Sequence, residues 1–276
     1  ARIQSEGESS PADLLITVDA GRLWRAEQAG IFQAVDSAVL TERLPENMRH
    51  PEGLWIGLSK RARVIVYNRE AGLPTPLADY TDLADPVHAG KVCIRSSSNI
   101  YNISLMASLV AHLGEAAAES WAAGVVSNFA RTPQSNDTGQ IRAVASGECQ
   151  IAVVNTYYLA RLAASDDPAD LAVASAVGIV FPGQQGNGTH VNISGAGVVS
   201  TAPNKDNAVR FLEYLTSERA QSLFADGNNE YPAVPNVGAS SKVAALGEFK
   251  EDGLNAAELG VHQSTAIMVF DRAGWQ

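Results

Sequence analysis

The run Ile151-Ala152-Val153-Val154 is apolar without a break and is bounded upstream by Gly147. Such a run suits a strand covered on both faces in a parallel sheet, where neither side of the strand meets water. Helical character resumes directly afterwards through Leu159, Ala160, Leu162, Ala163 and Ala164, with Thr156 placed to cap the helix start. A strand that hands over to a helix in this way is the unit of an open α/β sheet, and these sheets hold ligands beyond the carboxyl ends of their strands. Tyr157 and Tyr158 fall at that corner, in the first helical turn. On a regular strand two neighbouring side chains point to opposite faces and cannot share one small ligand. The change of direction at the corner removes that restriction.

Two adjacent phenols carry two readings. One is aromatic packing at a surface, the commoner outcome for a bare Tyr-Tyr pair. The other is metal ligation. A free tyrosine has a pKa of about 10, so its ionisation at neutral pH needs a strong local cation. A helix N-terminus favours the anionic form, and ferric iron, a hard and highly charged acid, favours anionic oxygen. Arg161 stands one helical turn after Tyr157, where it can offset surplus phenolate charge.

The rest of the chain alternates in the same manner. Strands are read at 12–18 (ADLLITV), within 53–67 (WIGLS and VIVY), at 91–95 (KVCIR) and at 190–200. Helices are read at 22–29, 100–113, 116–123, 138–145, 169–177, 204–215 and 217–224, and the alternation predicts a doubly wound α/β sheet. Asp19 ends the first strand, and its plain role is the N-cap of the next helix. Lys60, Arg61 and Arg63 form a basic cluster whose ordinary reading is a solvated face. Ser96-Ser97-Ser98-Asn99 marks a helix start and offers several donors to an anion. The apolar residues Ile100, Ile103, Met106, Val110 and Leu113 then recur with a 3.6-residue period, and Tyr101 lies off that stripe in the first turn.

A length of 276 residues suits two domains or one large one. A formal charge of −10 with a pI near 5.0 argues against nucleic acid and anionic membrane surfaces as partners. No stretch of about 18 apolar residues occurs that would span a bilayer. The opening ARIQSEGESSPADLL has neither the basic nor the apolar region of a secretory signal, so an exported form is expected to have shed it. Cys93 and Cys149 each sit beside a predicted strand, and both a disulfide and two buried thiols remain open. They lack zinc-site spacing, and the five histidines show no HxxxH pattern. There is no Walker loop, no GxGxxG after a strand and no GxSxG elbow, which leaves tyrosine as the coherent ligand set.

The segments SPADLLITVDAGRLW, GLSKRARVIVYN, GKVCIRSSSNIYN, VNTYYLARL, GTHVNISGAGVV and FADGNNEYPAVP, with FDRAGW at the end, follow one another in a familiar order. Over nearly its whole length the chain resembles the periplasmic ferric-ion-binding proteins of bacterial ABC importers, particularly the tyrosine-rich type known from cyanobacteria. The resemblance implies a two-lobed periplasmic binding protein of type II, with doubly wound sheets and hinge crossings. The first lobe would comprise residues 1–65 and 190–238 and the second 66–189 and 239–276, with the ligand held between them. It implies ferric iron, Fe(III), bound by the phenolates of Tyr101, Tyr157 and Tyr158. Arg61 would reach in from the first-lobe side, and Arg161 would compensate charge. A monomer in the periplasm would then deliver its cargo to an inner-membrane ABC permease without chemistry on it. Some relatives supply a carboxylate at the position aligned with Val18, and here that ligand is lacking. Family members usually open with a strand and a helix that bring a histidine or tyrosine to the metal. Here residue 1 aligns with the later part of that helix, so those ligands are not matched.

Two other functions fit parts of the pattern. The 96–99 helix start and the arginines suit an organic anion, or the same cleft a polyamine. An iron-dependent enzyme would need an open coordination position and a substrate pocket, and the sequence offers no second acid–base constellation.

Overall fold

The computed structural model describes residues 2–276. The chain forms two compact units: residues 2–60, Asn192–Ser240 and Leu254–Val261 in the first, and Arg61–Val191, Ser241–Gly253 and His262–Gln276 in the second. Among the described residues, eight strands carry the fold: β1 Leu14–Val18, β2 Phe32–Gln33, β3 Ile56–Asn68, β4 Val92–Cys93, β5 Ile151–Asn155, β6 Val177–Val180, β7 Val191–Val199 and β8 Tyr231–Pro232. The 13-residue β3 passes from the first unit into the second.

In the first unit, β1 lies antiparallel to β7, from Leu14 opposite Val198 to Val18 opposite Ser194, and β8 pairs with Ser59 and Lys60 of β3. The core is built from Leu40, Leu44, Ile56, Leu58, Ala196, Val198, Leu212 and Leu215. β7 runs so close to its neighbours that a Cβ on Gly195 would stand 2.5 Å from the Ile56 carbonyl oxygen, and one on Gly197 would stand 2.4 Å from that of Leu54. Only glycine fits there. Asp19 is fully buried with φ 80° and caps the helix Ala20–Gln28, accepting from Gly21 N at 3.0 Å and from Asn192 Nδ2 at 3.0 Å. Its role is the plain one read from the sequence.

In the second unit, β5 lies between β4 and β3, and β3 also pairs with β6. All five residues of β5 are buried, as its apolar run requires. Its two neighbours differ in direction: β4 is parallel, while β3 is antiparallel from Arg63 opposite Asn155 to Tyr67 opposite Ile151. β5 thus sits in a mixed sheet, within the α/β architecture that the alternation predicts. β3 enters from the first unit, and the chain between it and β5 passes through β4 and three α-helices, a connection long enough to bring β5 back in either direction.

The helix Ile100–Leu113 keeps its predicted bounds, with Asn99 as cap and Gly114 at φ 81° as stop. Its burial is broader than the single stripe, because every residue from 102 to 110 is buried, Asn102, Ser104 and Ser108 included. The helices Glu115–Ser127 and Gln263–Ala273 both pack on it, the latter supplying Ala266, Val269 and Phe270 to the core. Leu113, counted into the stripe, is 40% exposed. Cys93 and Cys149 form a disulfide with Cα atoms 5.8 Å apart. Residues 254–261, expected in the second lobe, belong to the first unit, where Gly260 lies against Trp24. No helix among the described residues is long and apolar enough to cross a membrane.

Candidate metal centre

β5 delivers the chain to the helix Thr156–Ala163 as predicted, but the cap position falls on Asn155 rather than Thr156. Thr156 is the first helical residue, and its hydroxyl accepts from Ala62 N at 3.3 Å. The Asn155 side chain makes no cap bond, because its Oδ1 accepts from Arg63 Nη1 at 3.1 Å. This corner places Tyr157, buried, and Tyr158, half-buried, side by side with ring centroids 4.3 Å apart and planes tilted by 32°. From the neighbouring strand end, Asn99 accepts from Tyr101 N at 3.0 Å and so fixes Tyr101 in the first turn of its own helix.

The three phenols meet. Tyr157 Oη donates to Tyr101 Oη at 3.1 Å, and the Tyr158 ring lies against that of Tyr157. Burial pushes the Tyr157 phenol well above its usual pKa, and the neighbouring Tyr101 and Tyr158 add to the rise. Without a metal, Tyr157 is therefore a neutral phenol at pH 7; the helix N-terminus does not outweigh desolvation. A multivalent cation reverses that balance by supplying positive charge at the oxygen where the proton sat.

Cations already surround the rings. The Arg61 guanidinium carbon lies 5.8 Å from the Tyr101 ring centroid, that of Arg95 5.1 Å, and that of Arg161 5.0 Å from the Tyr157 ring. Arg61, expected from the first-lobe side, is instead the first residue of the second unit and shares it with all three tyrosines. Arg61 and Arg63 are 2% and 1% exposed, so this part of the basic cluster is buried rather than a solvated face. Arg95 went unnoticed in the sequence, although an arginine closing a buried strand just before a helix cap was a usable signal. No group of three or more His, Cys, Asp or Glu that could hold a metal occurs among the described residues.

Residues 9–250 match the family profile described as bacterial extracellular solute-binding protein. The chain belongs to this family. As a solute-binding protein it is 54% identical over 275 residues to iron uptake protein A1 of Synechocystis sp., covering 100% of this chain and 76% of that relative. A solved structure of Trichodesmium FutA in complex with iron and citrate superposes with a TM-score of 0.97 at 55% identity, covering 100% of this chain and 87% of that one. A ferric binding protein from Campylobacter jejuni superposes at 0.93 with 36% identity, over 100% of this chain and 87% of its own. The fold of these solute-binding proteins is the fold of this chain, and the resemblance read from the sequence segments is one of common family.

Proposed function

We propose that this protein captures ferric iron through the phenolates of Tyr101, Tyr157 and Tyr158 and delivers it to an inner-membrane ABC permease, working as a monomer in the periplasm. The observation that carries the reading is the gathering of three tyrosines on the first turns of two helices ringed by arginines, with Tyr157 Oη 3.1 Å from Tyr101 Oη and the Tyr158 ring centroid 4.3 Å from that of Tyr157. Three phenolates balance the charge of one ferric ion, and a hard trivalent acid is the partner that anionic oxygen prefers. Each phenol gives up its proton as the metal arrives. The arginines favour that step by lowering the cost of phenolate charge, with Arg161 beside Tyr157 and Arg61 beside Tyr101. The uptake and ferric-binding names of the relatives support the same cargo. A polyamine would want carboxylates where this site has guanidinium groups. The protein is a binding protein, and no chemistry on the cargo is required of it.

The test is addition of ferric citrate to the metal-free protein and to Tyr158→Phe. The wild type should develop a visible phenolate-to-iron absorbance. The variant should lose most of it, while its metal-free melting temperature stays close to that of the wild type, because the ring's packing is kept. A Tyr158→Phe protein with full colour and full affinity would overturn the ligand assignment.

A further inference from the structure

We propose that Arg63 is a positioning residue for the metal site, holding Tyr101 and Tyr157 hydroxyl to hydroxyl through a buried hydrogen-bonded fork. The inference rests on the reading of those tyrosines as iron ligands. Arg63 touches no phenol in the site. Its Nη2 donates to Asn102 Oδ1 at 2.6 Å, and its Nη1 donates to Asn155 Oδ1 at 3.1 Å and to Asp137 Oδ2 at 3.3 Å. Asn102 is the residue after Tyr101, and Asn155 is the cap residue two before Tyr157. One planar guanidinium thus spans the starts of the two helices whose tyrosines lie 56 residues apart in the chain.

Each end of the fork is fixed again by a second contact. Asn102 Nδ2 donates to the Arg95 carbonyl at 2.7 Å and to that of Ser96 at 3.2 Å, which sets the turn leading into the Tyr101 helix. Asp137, fully buried, accepts from Asn155 N at 2.8 Å and, on its other oxygen, from Arg95 Nη1 at 3.4 Å. Arg95 in turn lies over the Tyr101 ring. Arg63 itself is held by its backbone, whose N–H donates to the His190 carbonyl at 3.0 Å and whose carbonyl accepts from the Tyr80 hydroxyl.

Stability alone does not account for such an arrangement. A buried ion pair is often no more stabilising than apolar residues of the same size, because desolvation offsets the attraction. A guanidinium does offer what apolar packing lacks: a rigid planar fork that fixes several acceptors at once. Bringing two phenols from distant segments to one ion needs that kind of precision, since a site loose by about 1 Å binds poorly.

The experiment uses Asn102→Ala, which removes one arm of the fork together with the Asn102 bonds to the Arg95 and Ser96 carbonyls and keeps the side chains of Arg63, Asp137, the phenols and the other arginines. Arg63→Lys is the second variant; it keeps the charge but cannot span the same acceptors, and it serves if the alanine variant fails to fold. Each protein is loaded with ferric citrate, and the phenolate-to-iron band and the rate of iron loss to excess citrate are recorded well below its own melting temperature. The metal-free urea midpoint is measured alongside. Positioning predicts a shifted, weaker band and iron loss about 10–100-fold faster, the range typical for partners behind a metal ligand. A lowered urea midpoint with wild-type band and release rate would overturn the proposal and leave Arg63 a stability residue. A wild-type protein that shows no phenolate band would defeat the underlying ligand reading, and the proposal with it.

Discussion

Replacing Cys93 and Cys149 together with alanine should cost the second unit much of its resistance to unfolding. The disulfide joins β4 to the segment just before β5, and the two cysteines are 56 residues apart in sequence. A crosslink of that span removes about 4 kcal/mol of chain entropy from the unfolded state, on the loop-closure relation. Both positions are buried at 2% exposure or less, so lost packing adds to the effect in the same direction. With a urea dependence of about 2–3 kcal/mol/M, the midpoint should fall by about 1–2 M. The assay is equilibrium unfolding in urea of the metal-free protein, followed by tryptophan fluorescence. Trp121 and Trp275, both in the second-unit core, report on that unit. Wild type treated with dithiothreitol should unfold at nearly the variant's midpoint. A double variant that unfolds with oxidised wild type would refute the reasoning, since the crosslink would then not be constraining the unfolded chain.

Two further expectations concern protons. Burial, with Arg63, Arg61 and His112 nearby, holds the buried His190 down at about 3, below the usual histidine value of about 6.5. Between those values the unfolded state binds a proton that the folded state refuses, so stability should fall on acidification from pH 6.5 toward 3, by up to about 1.4 kcal/mol per pH unit. Urea midpoints of metal-free wild type and His190→Asn across that window check this, and equal slopes would exclude His190 as the source. Iron affinity should also fall on acidification, for a different reason. Phenols such as Tyr157, raised by burial, must lose protons to bind, and each proton released changes the affinity about tenfold per pH unit. Citrate competition at stepped pH from about 8 to about 5 measures it; a flat profile would rule out phenolate ligation.

The parts of this molecule that were legible in its sequence are those set by local chemistry. The apolar run of β5 and its handover to a helix came through, as did the bounds of Ile100–Leu113, because Asn99 and Gly114 are strong local signals. The places of Tyr101 and of the Tyr157-Tyr158 pair in the first turns of their helices were read the same way, while their part as ligands came from the family resemblance. What escaped depends on distant partners. A basic cluster reads as solvated until Asp137, 74 residues beyond Arg63, is seen buried against it. Asn155 and Thr156 are both competent caps, and the choice between them rests on contacts from β3. Strand direction around β5 follows from long-range pairing, which a hydrophobic pattern does not encode. Spacing likewise left the state of the two cysteines open until their backbones were placed 5.8 Å apart.

The central claim is that phenolate oxygens of Tyr101, Tyr157 and Tyr158 bind the ferric ion, and resonance Raman spectroscopy of the iron-loaded protein tests it most directly. Excitation within the visible absorbance should enhance tyrosinate ring vibrations. Their intensity should drop in each of Tyr101→Phe, Tyr157→Phe and Tyr158→Phe. An iron-loaded protein without enhanced tyrosinate modes, or three variants that all keep the wild-type spectrum, would contradict it.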